Sequence, residues 1–260
     1  MAERSIVFLM YHELELSGRP LCQSDPGYAR YILPLEDFRT QMEWLKQSNF
    51  RGLNVSQFLA YPAQPAVCIT FDDGCETDLI AAAPVLREFD HSATFYVTAG
   101  FLNTPGYMSV AQLRDLDSQR FEIGCHSMTH AYLSDIGEPD LKCEIVDAKD
   151  KIEQIVGHKI QHFSCPGGRY NNRALEMARR AEFQTVANSE FHANTPATNP
   201  YHLGRVALLR DLTIHEFDGI CHGRGLWKKR LSHGTRRSAQ RLLGNKTYDR
   251  LRSVLLGEPR

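Results

Sequence analysis

The sequence is poor in several signatures that assign a class directly. Lys and Arg number 30 against 31 Asp and Glu, so it lacks the basic excess that marks a nucleic-acid binder as a whole. No apolar stretch approaches the roughly 20 residues needed to cross a bilayer. The opening Met1-Ala2-Glu3-Arg4-Ser5 and the short apolar run after it are not long enough for a secretory signal. None of Cys22, Cys68, Cys75, Cys125, Cys143, Cys165 and Cys221 stands in C-x-x-C spacing, which argues against a closed thiolate zinc site. An odd number of cysteines at irregular spacing is also not a disulfide framework and fits a reducing compartment, so a cytoplasmic protein is expected. No internal repeat or low-complexity linker divides the 260 residues, which can bury one sizeable core.

What is present is alternation. Short apolar runs predict strands over residues 5–11, 66–71, 93–97, 121–125, 162–164, 184–187 and 206–209. Between them, Leu35, Phe38, Met42 and Leu45, and then Leu141, Ile145, Ala148, Ile152 and Ile155, repeat at helical core-facing spacing. Further helices are predicted over 77–88, 109–118, 172–181 and 213–219. This pattern makes the chain α/β, with a mainly parallel sheet covered by helices. Periodicity alone leaves open whether that sheet closes.

Two motifs carry chemistry. The run Ala66 to Phe71 ends at Asp72 and Asp73, where successive side chains diverge and can take different roles. Phe121 to Cys125 ends at His126, with His130 four residues on, so both rings share a face if a helical turn follows. A lone D-D-G is usually a turn with solvated acids, and a lone H-x-x-x-H is often two surface histidines. Together, each after a strand, they supply a proton-handling carboxylate and a two-His, one-carboxylate metal site with an open position. That is the equipment of a hydrolase.

Thr70-Phe71-Asp72-Asp73-Gly74 and His126-Ser127-Met128-Thr129-His130 resemble the first two motifs of the NodB-homology polysaccharide deacetylases, the family-four carbohydrate esterases. Phe163 to Asn171, with Pro166 inside it, resembles the third, and the likeness runs from Ile6 to about Gly219. It implies an irregular (β/α) barrel of about seven parallel strands, with residues 1–220 as the catalytic domain. It also implies metal-dependent removal of N-acetyl groups from a glycan. Asp72 would be the general base; Asp73, His126 and His130 would hold one divalent ion, zinc by default; the Gly167 amide would face the developing oxyanion. Tyr11, Pro166, Tyr170 and His192 are expected to contact substrate.

The chain departs from the pattern in two places. Many members carry an arginine two residues before the third-motif proline, to orient the base; here that position is Ser164, and Arg169 is the expected substitute. Many end the last strand in Leu-x-His, whose histidine protonates the leaving amine; here Leu208-Leu209-Arg210-Asp211 stands instead, and a guanidinium cannot serve as an acid near neutrality. Tyr11-His12 resembles the start of the exopolysaccharide-type branch, which makes His12 the first candidate acid and His192 the second. Residues 221–260 form a separate basic extension, with eleven Lys or Arg against Asp249 and Glu258, expected to be helical. It is a candidate for peripheral contact with anionic lipid or an acidic partner.

Overall fold

A computed structural model describes residues 5–23, 25–60 and 65–226. Ten strands are present among them: β1 (Val7–Tyr11), β2 (Leu14–Glu15), β3 (Leu33–Pro34), β4 (Arg51–Leu53), β5 (Ala66–Phe71), β6 (Thr94–Val97), β7 (Glu122–Cys125), β8 (His162–Ser164), β9 (Thr185–Ala187) and β10 (Val206–Ala207). The main sheet runs β10-β1-β5-β6-β7-β8-β9, with every pairing parallel. Short β4 pairs with the start of β5, alongside the segment where β6 has not yet begun. Leu203, just ahead of β10, bridges to Ala187 in β9, so the sheet curls back toward its own first edge. This is the expected irregular (β/α) barrel.

Strand alternation sorts the core into two layers. Ile6, Phe8, Ala66, Cys68, Tyr96, Ala187 and Leu203 pack together in the barrel interior. The intervening Val7, Leu9, Tyr11, Val67, Ile69, Phe71, Phe95 and Val97 face the surrounding helices. Each fully buried Leu, Ile or Phe contributes about 1.5–3 kcal/mol by leaving water. Gly124 serves this packing: a Cβ there would lie 2.4 Å from the Tyr96 ring.

The helices follow their caps. Ser109 caps Val110–Ser118 and Thr213 caps Ile214–Cys221, each in a reciprocal capping box, and Asn171 caps Asn172–Arg180. Two predicted helices contain a widened π turn, Asp78–Ala82 and Cys143–Asp147. Such turns shift the register of the following face and gather near functional sites. Both carry a buried acid, Asp78 and Glu144. All seven cysteines are free thiols. No helix among the described residues is long and apolar enough to cross a membrane. The basic extension predicted for 221–260 lies outside the described residues beyond Leu226.

Candidate active site

The interior rows of the barrel end in polar residues at the carboxyl ends of the strands. Asp72 continues the row Ala66, Cys68, Thr70; His126 continues Glu122, Gly124; Ser164 ends β8; His12 continues Phe8, Met10. Alternation therefore delivers four chemically active side chains from four strands to one end of the barrel, the usual place for a site in this architecture.

Asp73 leaves the strand row through a left-handed backbone, φ 80°. Its Oδ2 accepts from the Tyr28 hydroxyl at 3.3 Å. Its Oδ1 is buried without a hydrogen-bond donor, 3.5 Å from His126 Nε2 and 3.4 Å from His130 Nε2. His126 Nδ1 faces the Ser164 carbonyl at 2.9 Å, which fixes the proton there and leaves the Nε2 lone pair aimed at Asp73. Burial pushes the His126 imidazolium pKa down to about 4 against the opposing pull of Asp72, so the ring is neutral near pH 7. Lone pairs facing one another in a buried site are unfavourable unless a cation lies between them. The donor set of one carboxylate and two imidazoles, all within 4.8 Å, fits a divalent ion.

The two histidines do not converge through a helical turn. The segment after β7 is irregular, with Ser127 at φ 70° and His130 at φ 63°. Glu144, from the π turn, holds it: its carboxylate accepts from the Met128 and Thr129 amides at 3.0 and 2.9 Å and from the Thr129 hydroxyl at 2.6 Å.

Asp72 sits 3.7 Å from His126 Nε2, and its partner is Arg205. Arg205 is completely buried, and its donors all find acceptors: Nε on Asn188 O (3.1 Å), Nη1 on Asp72 Oδ1 (2.7 Å) and Thr70 Oγ1 (3.3 Å), Nη2 on Asp72 Oδ2 (2.7 Å) and Ser164 Oγ (2.7 Å). The Tyr96 ring lies 5.4 Å from its guanidinium carbon. Burial alone would raise the Asp72 pKa, but the Arg205 charge and hydrogen bonds, with His126, outweigh it and hold the carboxyl well below the usual range.

Arg205 corrects the expectation placed on Arg169, whose guanidinium instead lies over the Tyr132 ring at 4.0 Å. The small Ser164 leaves room for a guanidinium arriving from just ahead of β10. One signal for it is in the sequence: Arg205 is a lone charge between Leu203 and Val206, at an interior-facing position. Tyr11 is likewise corrected. It shares parity with Val7 and Leu9, faces the helices, packs against Phe38 and Phe71, and donates to Gln41 Oε1 at 2.7 Å. Arg210 turns away to bond Glu15 and the Ile32 carbonyl.

His12 does face the centre. The charges of Asp73, Asp72, Arg205 and His130 all act on it, its Nδ1 is buried without a hydrogen-bond partner, and burial lowers its pKa despite the two acids. His192 packs against Gly204, where a Cβ would meet its ring at 2.4 Å. Tyr170 bonds Glu190, Asn188 and His202. Pro166 opens a tight turn, itself and Gly168 buried and Gly167 exposed, in which Gly167 (φ 58°) and Gly168 (φ 66°) are left-handed. A Cβ on Gly167 would lie 2.7 Å from Tyr132 and one on Gly168 2.7 Å from Ser189, so both glycines are required by conformation and by space.

Comparisons with known proteins bear on the family and the fold. YxkH of Bacillus subtilis is 26% identical over 204 residues, spanning 76% of this chain and 69% of that protein. The poly-β-1,6-N-acetyl-D-glucosamine N-deacetylase of Staphylococcus aureus is 24% identical over 237 residues, 82% of each chain. Among solved structures, the Streptococcus pyogenes deacetylase PplD superposes with a TM-score of 0.73 at 21% identity, over 82% of this chain and 96% of that one, which establishes the shared fold. The family model for polysaccharide deacetylases matches residues 60–186, and the chain thus carries a polysaccharide deacetylase domain of the NodB-homology family.

Proposed function

We propose that the protein is a metal-dependent hydrolase that removes N-acetyl groups from the amino-sugar units of a polysaccharide or its lipid-linked precursor. The observation that carries this reading is the donorless Asp73 Oδ1 set between two imidazoles, with Asp72 beside them in its ion pair. The likeness to an N-deacetylase of poly-β-1,6-N-acetyl-D-glucosamine supports the substrate class.

In this reading Asp73, His126 and His130 hold the ion. A divalent cation in such a site acidifies water and polarises an acyl oxygen. Asp72, ionised throughout the physiological range and held in one orientation by Arg205, takes the proton of the attacking water. The Gly167 amide donates to the acyl oxygen as charge builds on it. The carbon–nitrogen bond then breaks, acetate departs, and His12 delivers a proton to the amine nitrogen. His12 fills the role that Arg210 cannot, because its imidazole faces the centre with an uncommitted nitrogen, and the Asp73 and Asp72 carboxylates favour its protonated form against the effect of burial.

The deciding experiment measures acetate released from β-1,4- and β-1,6-linked N-acetylglucosamine oligomers, with and without chelator, for the wild type and Asp72→Asn. Release that chelator and Asp72→Asn both abolish is the expected result. Inert, metal-loaded wild type across a broad panel of N- and O-acetylated sugars would overturn the enzyme and leave a glycan-binding module.

A further inference from the structure

A second cluster of metal-binding donors lies beside the first. Glu13, Cys22 and Cys75 bring a carboxylate oxygen and two sulfurs within 4.8 Å of one another. They are far apart in sequence and come from different loops. Glu13 follows His12 after β1, Cys22 belongs to the long connection between β2 and β3, and Cys75 follows Thr70-Phe71-Asp72-Asp73-Gly74 directly. The cluster is tightly framed. Both Glu13 oxygens accept from the Cys22 amide, at 2.9 and 3.1 Å, and the Cys22 sulfur lies 2.9 Å from the Gly106 carbonyl. Gly106, at φ 88°, makes room for it, since a Cβ there would stand 2.8 Å from that sulfur.

An independent feature lies beside it. Asp78 is 1% exposed, and neither of its carboxylate oxygens has a hydrogen-bond partner. Its amide bonds the Cys75 carbonyl at 3.0 Å, and it lies close enough to Cys22, Glu13 and Asp73 for their charges to bear on it. Burial, with the neighbouring acids and Cys22, pushes the Asp78 carboxyl well above the usual carboxylate range; a divalent ion held by the adjacent carboxylate and two sulfurs would supply the compensation that lets it ionise.

We propose that Glu13, Cys22 and Cys75 form a second, sulfur-containing divalent-metal site, with Asp78 as its adjoining carboxylate. Two thiolates and a carboxylate favour zinc over magnesium or calcium. Binding releases the two thiol protons to solvent and changes no oxidation state. The ion braces the long loop after β1 against the loop bearing Asp72 and Asp73. Tyr28 joins the two centres, since its hydroxyl lies 3.7 Å from the Cys75 sulfur while donating to Asp73. The site stands whether or not the chain is a deacetylase.

The test uses the full chain, purified with a non-thiol reductant and loaded with zinc or cobalt(II). Two equivalents per chain are expected. Cobalt at this site gives a thiolate charge-transfer band in the near ultraviolet, which a ligand set of Asp73, His126 and His130 cannot produce. His130→Ala should drop one equivalent and keep the band. Cys22→Ser, at a half-buried position, and Cys75→Ala should each drop one equivalent and lose it, while Cys143→Ser keeps both. A wild type holding one equivalent without a sulfur band would overturn the proposal, as would a band that survives both cysteine substitutions.

Discussion

The guanidinium of Arg205 and the carboxylate of Asp72 form a two-point ion pair sealed inside the barrel, both contacts at 2.7 Å and neither partner meaningfully exposed. Desolvating two charges is costly, so a pair like this weighs more for geometry than for net stability. Removing one partner is another matter, because it strands the other charge.

Arg205→Met therefore should cost about 3–5 kcal/mol in urea unfolding. Arg205→Lys keeps the charge but loses the two-pronged fit, and should lower kcat by about tenfold or more at neutral pH. The sign of the pH effect follows from the cause. Burial raises the Asp72 pKa and Arg205 is foremost among the groups holding it down, so weakening the pair moves the acid limb of the rate profile to higher pH. An unshifted limb in Arg205→Lys would show that Arg205 does not orient the base.

The two adjacent aspartates should separate cleanly. Asp72→Asn is expected to reduce turnover by about 10²–10⁴-fold while zinc affinity stays near wild type. Asp73→Asn should abolish turnover and the zinc equivalent held with His126 and His130, because Asp73 Oδ1 is the oxygen pointed at the imidazoles. Isothermal titration with zinc, run beside the acetate assay, checks the split; equal metal loss in both variants would contradict it.

Much of this centre is legible in the sequence. The acids and histidines can be found because each follows an apolar strand, and the barrel places strand ends together. All seven predicted strands of the main sheet are present. What escapes a sequence reading depends on contacts between distant segments. Arg205 comes from the edge of the last strand to fill the space left by Ser164, and no local pattern encodes that pairing. Strand β4 escapes because Arg51-Gly52-Leu53 is too short to show a period. Gly52 is there for close packing, since a Cβ at that position would stand 2.5 Å from the Ile69 side chain. Tyr11 misleads for a different reason: its motif neighbour His12 is persuasive, while strand parity already places its ring outside the barrel.

His12 should matter in proportion to how badly the leaving group needs a proton. For N-acetylated sugar, His12→Gln is expected to lower kcat by about 10²-fold or more, with zinc affinity retained. For p-nitrophenyl acetate, whose leaving group departs as an anion, the same variant should stay within about threefold of wild type, because no proton is delivered there. Equal losses on both substrates would exclude His12 as the acid.

Glu144 acts on the ion at one remove. Its carboxylate gathers the Met128 and Thr129 amides, setting the loop that carries His130. Glu144→Gln removes the charge from the bonds to the two amides and turns an NH₂ group toward the Thr129 hydroxyl, and zinc affinity should fall by about 10–100-fold, as for other groups that orient metal ligands. A drop in affinity at unchanged urea midpoint would separate positioning from simple destabilisation.

At the opposite end of the barrel, Glu122 offers a stability prediction free of the metal. Its carboxylate accepts from the Val55 and Ser56 amides at 3.0 and 3.2 Å, at the N-terminus of Val55–Leu59, and faces His162 Nε2 at 3.3 Å. Burial raises its pKa, but the bonds from His162, Ser56 and Thr94 outweigh it, and the net shift is downward. A depressed carboxylate contributes stability that is fully present above the unfolded-state value of about 4.3 and is lost as pH falls toward the folded-state value. Glu122→Gln should thus be less stable at pH 7 by about 1–3 kcal/mol, with the gap to wild type closing as the solution is acidified below about pH 4.3. Urea midpoints at several pH values measure both curves. A gap that stayed constant through that window would mean that Glu122 acts through its shape and not through its charge.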